Sequence, residues 1–336
     1  MRGGRGEGML QTRLLRSKFQ GGIVGSAVGS ALGAPFKGLS PDDLDLKPWS
    51  LEMMDGRYTC DVKAMMGITE SLIEHGGFDG GDAAHRFKTN INSSKKFSVG
   101  SVGAYPWMRD GAPWGVADRG LLDRGDPNGN NATASMTAFG LFYYDDLAAL
   151  REVCLAFGSI IRLHELALEG AMIQAYAVAL SVERMPWGGM DPMDLVEEVE
   201  GLTGHPLYRD RLRAVKRFLN SPQDKREIIK VLGNSMEPLD SAPTALYCAL
   251  SKIESFEAAV SYAVGLGGYT DIIAAMTGAI SGVLHCLEDI PYRWRTRLEG
   301  IDHLSDLADK LLKARESSGA AGHSPTSGDN PWGAGS

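Results

Sequence analysis

The 336-residue sequence predicts an all-α protein built around one core. Apolar residues recur at helical spacing through most of the chain, and almost no segment alternates as a half-buried strand does. No linker is strong enough to divide the helical run, so a single domain over residues 18–315 is expected, between a basic, unstructured leader (1–17) and a Gly/Ser/Pro-rich, disordered tail (316–336).

The first helix is read at 17–34, where Gly21, Gly25, Gly29 and Gly33 fall four residues apart. Glycine is a poor helix former, so such a stripe is favourable only where another backbone or a ligand comes close, which makes this helix central. Residues 62–76 have a clear helical period, with Gly76 as a C-terminal stop. Further apolar-periodic helices are read at 145–157, 165–183, 240–253 (with Pro243 in its first turn) and 256–268. The charged stretch 206–230 reads as a surface helix or helical pair. The segment 265–285, GLGGYTDIIAAMTGAISGVLH, reads as a glycine turn followed by a helix apolar on nearly every side, with Asp271 at its start. Two Gly/Asn-rich loops, 97–107 and 121–136, interrupt the helices. Such loops let backbone N–H groups approach a phosphate or ribose, although ordinary turns are the commoner use.

A formal net charge of -8 without a basic stripe argues against nucleic acid as a partner. No uninterrupted apolar run has the length of a membrane span. Cys60, Cys154, Cys248 and Cys286 are far apart in the sequence, which fits reduced thiols in an intracellular protein of the cytoplasm or nucleus. The leader carries Arg2, Arg5, Arg13, Arg16 and Lys18 against Glu7, leaving a mitochondrial matrix location open.

Several motifs stand in order: GGIVGSAVGSALGAPFKG, RYTCDVKAMMGITESLIE, PNGNNATASMTAFGLFY, LHELALEGAMIQAYAVAL and LGGYTDIIAAMTGAISG. Together with LGNSMEPLDSAPTALYCAL they resemble the ADP-ribosylglycohydrolase family, in its ADP-ribosylhydrolase 3-like branch, over residues 17–315. The resemblance implies an orthogonal helical bundle, usually monomeric, with a two-magnesium centre. In the family a Thr-Asp-Asp triplet and an Asp-Thr-Asp-Thr run supply the oxygen ligands, and a glutamate guards the site. Magnesium is hard and oxygen-seeking, and a pair of ions can orient ribose hydroxyls and activate water.

At those positions this sequence departs from the pattern. The triplet reads Thr59-Cys60-Asp61, the run reads Tyr269-Thr270-Asp271-Ile272, and the guarding glutamate is Lys37. An acid usual in the first helix is Ser30, and the family's GNGAAMR reads GNNATAS, placing Ser135 at its arginine. Thr59, Asp61 and Asp271 survive as ligand positions, whereas Cys60, Tyr269 and Ile272 are altered. Loss of two carboxylates and the exchange of glutamate for lysine shift the site by roughly four charge units towards positive. At most one weakly held Mg²⁺ is then expected, or none, with Lys37 pairing with Asp61 and Asp271 in its stead.

The resemblance places Gly100, Gly129, Asn130 and His164 on the substrate side, Gly103 fitting more loosely. The plain readings are an ordinary turn at Gly129 and Asn130 and a helix cap at His164. Trp107, Trp114 and Trp187 read as packing residues. The expected function is that of a catalytically inactive or impaired member that binds ADP-ribose, an ADP-ribosylated protein or another protein partner. The alternatives are an active Mg²⁺-dependent hydrolase removing ADP-ribose from serine-modified proteins or from O-acetyl-ADP-ribose, and a scaffold without ligand.

Overall fold

The computed structural model describes residues 3–44, 51–92 and 129–319. The expectations for Gly100, Gly103, Trp107, Trp114 and the loop 97–107 lie outside these residues. Among the described residues all regular structure is helical, as the sequence predicts. The longer helices are α1 (Gly3–Gly33), α2 (Cys60–His75), α3 (Gly80–Asn92), α4 (Asn130–Ser135), α5 (Thr137–Phe142), α6 (Leu147–Ile160), α7 (Glu165–Val182) and α8 (Pro192–Leu202). They continue with α9 (Pro206–Asn220), α10 (Lys225–Leu232), α11 (Pro238–Ser251), α12 (Phe256–Val264), α13 (Thr270–His285), α14 (Tyr292–Arg295) and α15 (Ile301–Gly319).

Three expected boundaries are corrected. The basic segment assigned to an unstructured leader belongs to α1, which already begins at Gly3. No proline or capping signal interrupts this stretch, and Arg16 ties it to α15 through Asp309 Oδ1 at 2.8 Å. At the other end α15 runs to Gly319, past the expected start of the tail. Helix α11 starts at Pro238, so Pro238 takes the first-turn role assigned to Pro243, which lies inside the helix. The charged stretch resolves into the pair α9 and α10.

The glycine stripe of α1 lies along α13. A methyl group on Gly21, Gly25, Gly29 or Gly33 would overlap the backbone carbonyl of Gly282, Gly278, Ala274 or Thr270 respectively. Each four-residue step forward along α1 matches a four-residue step back along α13, so the helices run antiparallel with their backbones in contact. Every residue of α13 is buried, with α7, α11, α12 and α1 packed around it, and this is why it is apolar on all sides. Helix α7 has the length and hydropathy of a membrane-crossing segment, but 78% of it is buried inside this protein, as befits a core helix.

The end of this helix pair holds a group that hydropathy patterning passed over. Lys18 is 1% exposed. Its Nζ donates to the carbonyl oxygens of Ser181 at 3.3 Å, Arg184 at 2.5 Å and Val283 at 3.0 Å. It thereby caps the C-terminal ends of α7 and α13 together, where the helix dipoles favour a cation. Burial pulls its pKa down to about 8.

Two stability outcomes follow. Gly29→Val should abolish folding or lower stability by at least about 3 kcal/mol, since two backbones would have to separate. In contrast Gly201→Ala, where an added methyl meets nothing within 4 Å, should be neutral or stabilising by roughly 0.5–1 kcal/mol in chemical denaturation. Lys18 also sets a pH dependence. Between about pH 8 and the ordinary value of 10.5 the folded protein loses this proton while the unfolded chain keeps it, so stability should rise with pH across that window. Lys18→Met should remove that rise and, by leaving three carbonyls without their donor, lower stability by roughly 3 kcal/mol.

Candidate functional site

Two helix N-termini and the end of α1 meet at the opposite end of the helix pair. Thr59 immediately precedes α2 and Asp61 is its second residue, while Asp271 is the second residue of α13. Both carboxylates thus occupy a first helical turn, where free N–H groups favour an anion. The approach to α2 is held from the C-terminal part of the chain. Trp294 Nε1 donates to Leu51 O at 3.1 Å, an Arg297 guanidinium N–H to Met53 O at 3.1 Å, and Glu299 N to Gly56 O at 3.0 Å. Gly56 has φ +70°, and a side chain there would run into the Arg297 carbonyl.

Lys37 follows a short 3-10 turn, Ala34–Phe36, that ends α1. Its loop is sewn to the turn before α13: Gly38 N donates to Gly268 O at 2.7 Å and Gly268 N donates to Leu39 O at 2.9 Å. Gly267 and Gly268 both have positive φ, which answers for the glycines of that turn. Thr270 Oγ1 adds a bond to Gly33 O at 2.7 Å. These ties fix the lysine backbone beside the first turn of α13.

The expected pairing of Lys37 with the acids is present on Asp271, with Nζ 2.9 Å from Oδ2. The Asp271 side chain is 3% exposed and that of Lys37 42% exposed. The ammonium also lies 4.7 Å from the centre of the Tyr269 ring. Burial disfavours the Lys37 charge, but the Asp271 carboxylate, with a weaker contribution from Asp61, outweighs it and raises the pKa. The other Asp271 oxygen, Oδ1, is buried without a hydrogen-bond partner.

Asp61 is bound differently. Its Oδ2 accepts from Thr59 Oγ1 at 2.8 Å, and Thr59 Oγ1 lies 2.9 Å from Ser30 Oγ. Ser30 Oγ also accepts from Thr59 N at 3.0 Å. A serine thus joins α1 to the start of α2 at the position where the resemblance leads one to expect an acid. Burial first, and then the Asp271 charge, push the Asp61 carboxyl well above the usual carboxylate range. Cys60 is half-buried with Sγ 3.8 Å from Asp61 Oδ1, and burial likewise raises its thiol pKa far above neutrality. It is a neutral thiol, a poor donor for a hard cation.

These residues do not fit a two-magnesium centre. Ile272 is buried and offers no oxygen, Tyr269 presents its ring face, and Cys60 is a thiol. One carboxylate oxygen is already occupied by an ammonium. Among the described residues no group of three or more His, Cys, Asp or Glu side chains is arranged to hold a metal ion.

The substrate-side positions are placed as follows. Gly129 caps α4, and a side chain there would strike the Ala167 methyl. Asn130 is 1% exposed and its side chain is committed within the protein, donating to Met236 O and accepting from Ser241 Oγ at 2.5 Å. Ser135 Oγ donates to Ala132 O at 2.8 Å. His164 caps α7, its Nδ1 accepting from Leu166 N at 3.2 Å, and His205 repeats the arrangement on Leu207 N at the start of α9. The turn expected at Gly129 and Asn130, within the expected loop 121–136, is instead the start of α4, while the helix cap expected at His164 is present. Trp187 is 59% exposed, so it does not serve as a packing residue.

Lys37→Glu should lower stability by about 2 kcal/mol, since it replaces the one ammonium on Asp271 with a third carboxylate. An unchanged melting temperature would show that the ion pair does not matter to the fold.

Residues 11–321 match the sequence profile of the ADP-ribosylglycohydrolase family. Relatives include ADP-ribosylhydrolase ARH3 of Danio rerio, 30% identical over 89% of this chain and 90% of that protein, and ADP-ribosylhydrolase ARH3 of Homo sapiens, 25% identical over 90% and 94%. An uncharacterized protein of Archaeoglobus fulgidus is 30% identical over 89% of this chain and 97% of its own length. A solved chain of an ADP-ribosylglycohydrolase-related protein complex superposes with a TM-score of 0.70 at 22% identity, covering 90% of this chain and 99% of that one. With its helical bundle, the order of its motifs and a match along nearly its whole length, the chain belongs to the ADP-ribosylglycohydrolase family.

Proposed function

We propose that this protein binds ADP-ribose, free or attached to a protein, and does not hydrolyse it. The observation that carries this reading is the Lys37 ammonium on Asp271. Cleaving a glycosidic bond requires an activated water and stabilisation of developing charge at the anomeric carbon. In this site Asp271 Oδ2 is held in an ion pair with the Lys37 ammonium. Ionisation of Asp61 is opposed by burial and by Asp271. Among the described residues none stands in for the altered positions Cys60, Tyr269 and Ile272. The names of the relatives, ADP-ribosylhydrolases, support ADP-ribose as the ligand class.

A second reading has its own observation. Thr59, Asp61 and Asp271 still come together at two helix N-termini, the constellation on which a Mg²⁺-dependent hydrolase acting on serine-linked ADP-ribose or O-acetyl-ADP-ribose would be built with one ion.

Calorimetric titration with ADP-ribose, first with Mg²⁺ and then with EDTA, should give the same affinity in both. A serine-ADP-ribosylated peptide should remain uncleaved over hours. Binding that collapses in EDTA, together with release of ADP-ribose, would establish the hydrolase instead. Absence of binding in either buffer would leave a scaffold.

A further inference from the structure

The substitutions at Lys37 and Tyr269 have a joint geometry. The Lys37 ammonium is 2.9 Å from the Asp271 carboxylate and lies over the Tyr269 ring, 4.7 Å from its centre. A carboxylate and an aromatic face together form a cage for one cation. The chain itself supplies that cation. Backbone bonds of Gly38 and Leu39 to Gly268 flank Lys37 and anchor it to the turn carrying Tyr269.

We infer that Lys37 and Tyr269 form a tethered-cation cage that excludes a divalent metal from Asp61 and Asp271. Three physical effects favour the ammonium. It is covalently attached, so it occupies the site at a high effective concentration and loses no translational freedom on binding. It carries a single charge, and a tyrosine ring beside it provides attraction without a second anion. A divalent ion entering beside it would meet a tethered positive charge at close range. The two substitutions are therefore complementary: the lysine takes the cation's place, and the tyrosine covers the face that an aspartate would otherwise hold. This deepens the metal independence of the proposed function. Its test uses metal alone, so it fails or succeeds separately from ADP-ribose binding.

The decisive comparison is between the wild type and the double variant Lys37→Met/Tyr269→Asp, titrated with Mg²⁺ and with Mn²⁺ by calorimetry and by the loss of the free Mn²⁺ electron paramagnetic resonance signal. The wild type should show no saturable binding at millimolar metal. The double variant should bind one ion, at least about tenfold more tightly, and its melting temperature should rise with Mg²⁺. Saturable binding to the wild type would overturn the inference, because the ammonium would then not exclude metal. Failure of a folded double variant to bind would overturn it as well, since something other than the cage would then keep metal out. Should the double variant not fold, a melting-temperature cycle of Lys37→Met, Tyr269→Leu and their combination decides. The cage requires the two losses to be non-additive, the second substitution having little further effect once the first is made; additive losses would show that ring and ammonium do not act together.

Discussion

The close approach of α1 and α13 is the constraint on which the rest of the structure depends. Four glycines on one helix lie against Gly282, Gly278, Ala274 and Thr270 on the other, with no room for a methyl group at any of the four glycines. Contact this tight fixes both register and direction. It therefore fixes what lies at the two ends. At one end Lys18 reaches the last carbonyls of α7 and α13. At the other, Ser30 meets Thr59, and Lys37 meets Asp271. A shift of one turn along the pair would separate all of these partners at once.

Both ends follow the same electrostatic logic with opposite sign. Helix C-termini gather carbonyl oxygens, and a buried ammonium satisfies them. Helix N-termini gather N–H groups, and the carboxyl groups of Asp61 and Asp271 are placed there. Two carboxylates held close together out of water are unfavourable without a positive partner. Among the described residues the Lys37 ammonium pairs with Asp271, while Asp61 accepts from the Thr59 hydroxyl, which in turn lies against Ser30 Oγ. Side chains and hydrogen bonds within the protein thus contribute to the charge balance of the site.

The separation of fold from chemistry is visible in single residues. Asn130 and Gly129 keep motif positions of the family, yet their side-chain environment is explained by packing: one bridges to Met236 and Ser241, and the other makes room for Ala167. Ser30 replaces an expected acid and becomes a link between α1 and α2. Such positions hold the cleft together whether or not a reaction takes place in it.

The sequence by itself determined the helical class, the central place of the glycine-striped helix and the burial of α13. Each of these is local: periodicity, glycine spacing and residue type at a motif are written along a single stretch of chain. The expected pairing of Lys37 with Asp61 and Asp271 was legible in part: the ammonium is on Asp271, and Asp61 is bonded by Thr59 instead. Tertiary structure alone decided that Tyr269 turns its ring to that ammonium, that Ser30 bonds Thr59, and that Lys18 is buried under two helix ends. In each case the partners are far apart in sequence, and the contact depends on the register of helices that no local pattern encodes. The start of α1 at Gly3 escaped the sequence reading for the same reason: a basic stretch without a strong apolar stripe reads as a loose leader until Asp309 of a distant helix is seen to hold Arg16.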